Sequence, residues 1–424
     1  EMDDMKELLG DVDVEDLEII RESDDEKLTD EEGKQVIKIV NLMVTQAVTE
    51  GATDIHIEPM ERYVRLRYRI DGELIQRNPI PLQLRAQITS RIKIMASMDI
   101  AERRKPQDGH FQIRHQNREI DLRVSTFPTM TRARGVNEKI VMRVIDQQGK
   151  QLKLEDLGFL PNTLAKFDEM IRKPDGILLV TGPTGSGKSS TLYAALQRIN
   201  MHYQNKRNVI TMEDPVESNI DGISQGQINP KAGFDFADGM RAILRQDPDI
   251  IMIGEMRDHE TCEMAIRAAI TGHLVFSTLH TNDSPSAYTR LLDMGMEPYL
   301  LASTIRAVLA QRLVRKICSR CRETYDPEPT LLDQLGLRQG LQLYRGKGCR
   351  ACNGTGYAGR MGIFELLVPD QEVKRMVTNR TGSGEIMDYA LTAGLMESLR
   401  RDGLRKVVAG ATTLEQVMGA TQNE

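Results

Sequence analysis

The chain holds 424 residues, 40% of them hydrophobic and 28% charged, with a formal net charge of −6. That length suits two or three domains, because single cores stop growing near roughly 250–300 residues, and the composition is that of an ordinary soluble, globular protein. No unbroken apolar run is long enough to cross a bilayer, and the absence of Trp with only 4% aromatics starves the stacking platforms of single-stranded nucleic-acid binders.

The first segment is an acidic leader, residues 1–33. Residues 1–32 carry 16 Asp/Glu against 3 Lys/Arg, a net −13 that leaves +7 for the remainder of a −6 chain. A solvated linker accounts for it, with electrostatic docking as the alternative. The segment has no basic-then-apolar signal, and it opens at Glu1 rather than Met, which leaves room for a preceding domain.

From Gly33 the spacing of Val36, Ile37, Ile39, Val40, Met43, Val44 and Val48 predicts a helix over 34–50. Val64, Leu66, Tyr68 and Ile70 then alternate with Arg65, Arg67 and Arg69, and Asp71-Gly72 turns the chain into Glu73-Leu74-Ile75, a hairpin with one arginine-rich face. That face is either solvated or an interface. A helix is expected over Leu84–Met98 and a second hairpin from Phe111-Ile113 to Ile120-Val124, so residues 34–146 read as a small α/β domain. The polar stretch 147–153 (QQGKQLK) reads as a hinge.

Beyond it, strands are expected at 176–181, 208–212, 250–254 and 274–278, each followed by a helix, which predicts a mostly parallel sheet covered on both faces. Residues 299–317 and most of 361–424 read as helical, with Thr412-Thr413-Leu414-Glu415 as a capping box for the last helix.

Gly182-Pro183-Thr184-Gly185-Ser186-Gly187-Lys188-Ser189 is a complete P-loop between the buried strand 176–181 and a helix that continues through Ser190. Its glycines let backbone N–H groups curl around phosphates, Lys188 neutralises the β/γ oxygens, and Ser189 ligates magnesium. The nucleotide-binding set is therefore Gly182 to Ser190, and ATP with Mg²⁺ is the expected ligand pair. Glu255, after the apolar run Ile250–Ile253, is assigned to polarise the hydrolytic water, or else is an acidic helix-start residue before Asp258. Glu213 and Asp214 end another strand and would position magnesium or water, or else simply turn the chain. His280 ends the strand 274–278 at the same edge, as a γ-phosphate sensor or a structural hydrogen bonder. Arg241 and Arg245 share a helix face, either solvated or reaching the γ-phosphate.

Of the five cysteines, Cys318-x-x-Cys321 and Cys349-x-x-Cys352 form two knuckles 27 residues apart, the pattern of a structural tetrahedral Zn²⁺ site, with metal-free thiols as the alternative. Cys262 reads as a core residue.

These pieces resemble one family from about residue 34 to the end: the secretion ATPases of type II secretion and type IV pili. The resemblance rests on GPTGSGKSS at 182–190, TMEDPVE at 211–217, RAILRQDPDIIMIGEMRD at 241–258 and STLHTNDS at 277–284. It extends to GATDIHIEP at 51–59, DIAERRKPQDGHF at 99–111 and GCRACNGTGYAGRMGIFELL at 348–367. The resemblance implies an α/β fold: a PAS-like N-terminal domain (34–146) hinged to a RecA-like ATPase domain (154–317), with a zinc insert (318–352) and a helical C-terminal region (353–424). It also implies a homohexameric ring with ATP between the two domains of a subunit, reached by Arg123 in DLRVS and Arg143 in IVMR as well as by Arg241 and Arg245. The segment with TMTRARGVN that precedes Arg143 is longer than the family's short turn, and Asn137 stands where Gly is common.

Members of the family turn domain rotation into work on an inner-membrane platform protein, and through it on pilin, at the cytoplasmic face of the inner membrane. The tetracysteine insert is similar to that of pilus-extension and type II secretion members, and NEKIVMRVID with GCRACNGTGY is nearer the extension branch. The expected function is thus a cytoplasmic ATP hydrolase driving type IV pilus assembly. The alternatives are a type II secretion motor, a RecA-like nucleic-acid motor, or a nucleotide-gated scaffold; no nucleic-acid partner is expected.

Overall fold

The computed structural model describes residues 17–19, 31–116, 118–131, 135–146, 152–229, 232–338 and 340–422. Most of the acidic leader, the loop positions 132–134 and residues 147–151 of the expected hinge lie outside the described residues. The chain divides into two units with the boundary between Lys150 and Gln151.

Period-two alternation builds the first unit. Its strands are β1 (Leu17–Ile19), β2 (Asp54–Pro59), β3 (Tyr63–Ile70), β4 (Glu73–Gln76), β5 (Ile80–Pro81), β6 (Gln107–His115), β7 (Arg118–Thr131) and β8 (Gly135–Asp146). They form one antiparallel sheet in the order β1-β6-β7-β8-β2-β3-β4, with β5 beside β3. Two helices, α1 (Glu31–Thr49) and α2 (Arg85–Met95), bury Val36, Val40, Met43 and Val44 and Ile88 and Ile92 against the inward residues of the sheet. The buried Tyr68 hydroxyl, which the apolar core would otherwise leave unpaired, donates to the Met43 carbonyl at 2.8 Å.

Two features differ from the sequence reading. Leu17–Ile19 pairs with β6, so the leader contributes a strand. Strand β2 was not expected because five of its six residues are buried and the alternation is lost. That strand explains the arginine-rich face of β3: Glu58 takes Arg65 at 2.8 Å, Arg67 at 2.9 Å and Lys139 at 2.8 Å, while Asp54 takes Arg143 at 3.2 Å and Arg69 at 3.6 Å.

The second unit holds a seven-stranded sheet in the order β11-β10-β12-β13-β9-β14-β17. The strands are β9 (Gly176–Thr181), β10 (Val209–Glu213), β11 (Ser224–Gln227), β12 (Ile250–Ile253), β13 (Leu274–Leu279), β14 (Ile305–Ile317) and β17 (Tyr357–Leu367). All pairs are parallel except β14 with β17. Every residue of β9, β12 and β13 is buried, as strands covered on both faces require.

One face is covered by α3 (Pro161–Met170) and α4 (Lys188–His202), the other by α5 (Phe236–Ile243), α6 (His259–Ile270), α7 (Ser286–Asp293), α8 (Pro298–Thr304), α10 (Gln371–Thr378) and α11 (Ser383–Thr392). Between β14 and β17 lie the ribbon of β15 (Arg322–Tyr325) with β16 (Leu343–Gly346) and the short α9 (Pro329–Gln334). Helices α12 (Leu399–Val408) and α13 (Leu414–Ala420) close the chain.

The helical expectation for 299–317 and for the start of 361–424 is corrected here. Only Pro298–Thr304 is helical; Ile305–Ile317 and Tyr357–Leu367 are sheet partners. Val308, Leu309 and Ala310 are core residues between β9 and β17, so tertiary pairing overrides the local preference of a Leu- and Ala-containing run. The expected C-terminal capping box does not form either: Thr412 Oγ1 donates to the Arg315 carbonyl at 2.8 Å, and Thr413 at the helix cap shares a hydrogen bond with the Tyr357 hydroxyl.

Burial pushes the Glu58 carboxyl up, but hydrogen bonds from Arg67, Lys139 and Arg65 overcome it and hold the group at about 2, below its ordinary 4.5. A depressed folded-state pKa stabilises above the unfolded value and is lost as pH falls from 4.5 toward about 2. Glu58→Gln is therefore expected to cost about 1.5–3 kcal/mol at pH 7. Urea midpoints at falling pH should show the gap between wild type and variant narrowing as pH drops from 4.5 toward about 2.

Candidate nucleotide-binding and metal sites

Sheet register assembles the site. Thr181 pairs with Leu279, Ser277 with Ile253, and Ile253 with Met212. The residues that leave these strands, Gly182, His280, Glu255 and Asp214, therefore emerge side by side at the C-terminal edge of the sheet, where open parallel sheets bind ligands.

The loop from Gly182 to Gly187 joins β9 to α4. Gly182, Gly185 and Gly187 have φ of 151°, 79° and 86°, conformations that L side chains rarely adopt. Two are also crowded: a Cβ on Gly182 would stand 2.5 Å from the Gln311 carbonyl oxygen, and one on Gly187 would stand 2.8 Å from Gln311 Nε2. Lys188 Nζ donates to the carbonyls of Gly182 at 2.8 Å and Pro183 at 3.1 Å, folding its ammonium back over the loop. Pro183, Thr184 and Gly185 are exposed, Ser186 is buried, Ser189 is half-buried at the start of α4, and Ser190 is exposed.

The charges converge on the loop. Burial lowers the Lys188 pKa, with Glu255 opposing and Arg312 adding to the shift. Glu255 is half-buried, forms an ion pair with Arg257, and lies 3.4 Å from His280 Nε2 through its other oxygen. Its hydrogen bond raises the Arg257 pKa against burial, and the charge of Asp214 raises it further. The structure thus brings together Lys188, Glu255, His280 and Asp214. The box after β13 is anchored to the loop strand, since Thr281 N–H donates to Thr181 Oγ1 at 2.8 Å.

Glu213 stands apart from its neighbour. It is buried and accepts from the Tyr193 hydroxyl, from Thr211 Oγ1 at 2.6 Å and from Gln225 Nε2 at 3.1 Å, whereas Asp214 is exposed. Tyr193, on the helix that follows the loop, also accepts the Glu217 N–H at 3.1 Å. Its pKa rises through burial and then through Glu213. One phenol therefore ties α4 to the acidic segment 213–217.

Among the four arginines, Arg241 pairs with Asp238 at 2.6 Å and with Glu260, and Arg245 donates to the Arg241 carbonyl at 2.7 Å. Arg123 and Arg143 belong to the other unit, opposite each other in the β7–β8 register; Arg143 pairs with Asp54, and Arg123 lies 3.9 Å from Asp121. Asn137 is buried within β8.

Sequence reasoning missed Arg257, Arg312, Tyr193 and Gln311. Arg257 could have been found two residues beyond Glu255. Arg312, which donates to the Asn282 carbonyl at 2.8 Å, and Gln311 lay in a segment read as helix, where their direction was not derivable.

Cys318, Cys321, Cys349 and Cys352 have sulfurs within 4.8 Å of one another, and Cys262 is buried on α6. The separations Cys318–Cys349, Cys321–Cys352 and Cys349–Cys352 are 3.9, 3.8 and 3.7 Å. Four thiolates around zinc at about 2.3 Å stand about 3.8 Å apart, so the donor set fits that metal. Cys352 Sγ accepts N–H groups from Cys349 and Gly356, each at 3.2 Å. Such donors favour a thiolate. The knuckles are closed by glycines: a Cβ on Gly356 would meet the Gly346 carbonyl at 2.5 Å.

Tyr193→Phe removes one hydroxyl from both Glu213 and the Glu217 amide. The expected cost is about 1–2 kcal/mol, read from the urea midpoint, with faster hydrogen exchange at the Glu217 amide; an unchanged exchange rate there would contradict the tie.

Comparison with known proteins agrees with this architecture. The family described as "Type II/IV secretion system protein" matches residues 29–419. Type II secretion system protein HxcR of Pseudomonas aeruginosa is 50% identical over 396 residues, 93% of this chain and 79% of that protein. The type IV pilus assembly ATPase PilB of Myxococcus xanthus is 45% identical over 429 residues, 98% of this chain and 74% of that protein. Among solved structures, the pilus retraction motor PilT with bound ADP superposes with a TM-score of 0.60 at 26% identity, covering 90% of this chain and 96% of that one. With a matching family domain over most of its length and relatives near half identity, the chain belongs to the type II/IV secretion system protein family, the secretion ATPases.

Proposed function

We propose that this protein hydrolyses Mg-ATP and converts the free energy into movement for a type II secretion or type IV pilus machine. The observation that carries the reading is the convergence of Lys188, Glu255, Arg257 and His280 on a P-loop at the C-terminal edge of one parallel sheet. The N–H groups of the loop bind the α- and β-phosphates, Lys188 exchanges its carbonyl partners for β/γ oxygens, and Ser189 ligates the magnesium of the substrate. Glu255, beside Arg257 and His280, orients the attacking water. Asp214 faces magnesium or water, and the buried Glu213 fixes the strand end beneath it. Arg123, Arg143, Arg241 and Arg245 are proposed to leave their present carboxylate and carbonyl partners and offset charge on the γ-phosphate. The same reading takes residues 34–146 as a PAS-like domain and 147–153 as a hinge.

A ring of six subunits, acting at the cytoplasmic face of the inner membrane on a platform protein and through it on pilin-type subunits, is the assembly proposed. Among the described residues no helix is long and apolar enough to cross a membrane, so membrane association through partners is part of the proposal. For the machine served, the higher identity to the type II secretion relative favours secretion. The alignment to the pilus-assembly relative spans more of this chain, which favours pilus extension as the second reading. A deletion strain scored for secreted enzymes and for surface pili separates them.

Glu255→Gln is expected to lower turnover about 10²–10⁴-fold while ATP still binds; unchanged turnover would contradict the hydrolytic assignment and favour a nucleotide-gated scaffold. Chelating magnesium should abolish turnover, and added DNA or RNA should leave it unchanged. The tetracysteine site is proposed to hold one structural zinc per chain, whose removal loosens residues 318–352. Elemental analysis of protein purified without chelator, finding no zinc, would refute this.

A further inference from the structure

Gln311 is a polar side chain in the core of the second unit, 1% exposed, on the strand β14 that lies beside the P-loop strand. Both ends of its amide are committed. Nε2 donates to the Ser186 carbonyl at 2.8 Å, and Oε1 accepts from Thr191 Oγ1 at 2.7 Å. The reverse orientation of the amide would set oxygen against the Ser186 carbonyl and leave the Thr191 hydroxyl facing an NH₂ group, so the network fixes which way it points. Its two partners are a loop residue and a residue in the first turn of α4.

We propose that Gln311 is a positioning residue for nucleotide binding, which locks the Ser186–Gly187 peptide so that the Gly187 N–H faces the interior of the loop. The proposal rests on the reading of this loop as the phosphate site. In a planar trans peptide the C=O and N–H point in opposite directions. Holding the Ser186 carbonyl outward on Gln311 therefore turns the Gly187 N–H inward, toward the phosphate.

The lock is needed because the following residue is glycine at φ 86°, and glycine offers no side-chain barrier to rotation of that peptide. The same contact accounts for glycine at 187: a Cβ there would stand 2.8 Å from the amide nitrogen that makes the lock. The neighbouring turn is held independently, since Ser186 N–H donates to the Pro183 carbonyl at 3.2 Å and Thr191 N–H to the Gly187 carbonyl at 3.1 Å. Gln311 thus governs one peptide rather than the loop as a whole.

The test uses the full chain with Gln311→Met, which keeps the side-chain volume, Gln311→Glu, which keeps the Thr191 bond and loses the donor to Ser186, and Thr191→Val. Binding of a fluorescent ATP analogue with magnesium, KM and kcat for ATP, and thermal midpoints are measured for each. Both Gln311 variants are expected to bind about tenfold to a hundredfold more weakly, the worth of one hydrogen bond to a charged group. KM should rise in parallel, with kcat at saturation changed by less than about threefold, because the N–H serves ground state and transition state alike. Thr191→Val should lower the thermal midpoint yet bind nucleotide within about threefold of wild type, because the donor to Ser186 remains.

Should Gln311→Met fail to fold, Gln311→Glu carries the comparison. Gln311 variants that bind like wild type, or a Thr191→Val loss as large as theirs, would overturn the positioning role. A wild-type chain that binds no Mg-ATP would instead overturn the phosphate-site reading itself.

Discussion

Strand β9 is hydrogen-bonded on both sides, to β13 and to β14, with all six of its residues buried, and the loop that follows takes its position from that pairing. A parallel strand covered on both faces resists slipping, because a shift of one residue would move every side chain into the packing of the opposite face. The register therefore fixes where Gly182 leaves the sheet, and with it the distances from the loop to Glu255 and His280 on one side and to Gln311 and Arg312 on the other. Several polar groups at this edge pair with one another inside a largely apolar unit: Thr181 holds Thr281, Thr278 holds the Gly254 carbonyl at 2.7 Å, and Ser284 holds Glu365. Rigidity of this kind lets backbone N–H groups be aimed before a ligand arrives, which is the basis of electrostatic preorganisation.

The same sheet ties the tetracysteine cluster to the nucleotide edge. Strand β14 runs from beside the loop to Ile317 and enters the first knuckle at Cys318, and the chain returns from the second knuckle as β17, antiparallel to it. The insert is thus spliced between two paired strands. Helix α12 locks the returning strand through a buried pair: Lys406 Nζ contacts Asp402 and donates to the Gly362 carbonyl at 2.8 Å, and Asp402 accepts the Phe364 N–H at 3.0 Å. Breaking one partner of such a pair leaves a buried charge uncompensated, which is far costlier than the pair's net worth.

Legibility in the sequence followed physical signal. The four strands at 176–181, 208–212, 250–254 and 274–278 were readable because apolar runs bounded by turn residues suit only a doubly covered sheet, and the structure has them within a residue or two. The gathering of Lys188, Glu255 and His280 at one sheet edge, and of the paired cysteines in one cluster, was readable from their spacing and their place at strand ends. Ile305–Ile317 was not, since its Arg, Leu and Ala content suits a helix and only pairing with β9 and β17 decides otherwise. Gln311 was hidden with it: a lone glutamine in an apolar run carries no pattern, and its meaning comes from Ser186 and Thr191, 125 and 120 residues away. Likewise the arginines of β3 resembled a solvated face until Glu58 and Asp54, on a strand without alternation, were seen to neutralise them.

The proposed function depends on the C-terminal edge of the sheet being a phosphate site. The most direct measurement is a crystal structure of the chain with magnesium and a non-hydrolysable ATP analogue. Lys188 Nζ is expected to have withdrawn from the Gly182 and Pro183 carbonyls and to donate to β/γ oxygens, with the Gly187 N–H on the β-phosphate and Glu255 facing the γ-phosphate. A nucleotide bound elsewhere, or Lys188 still seated on those two carbonyls with nucleotide in place, would contradict it.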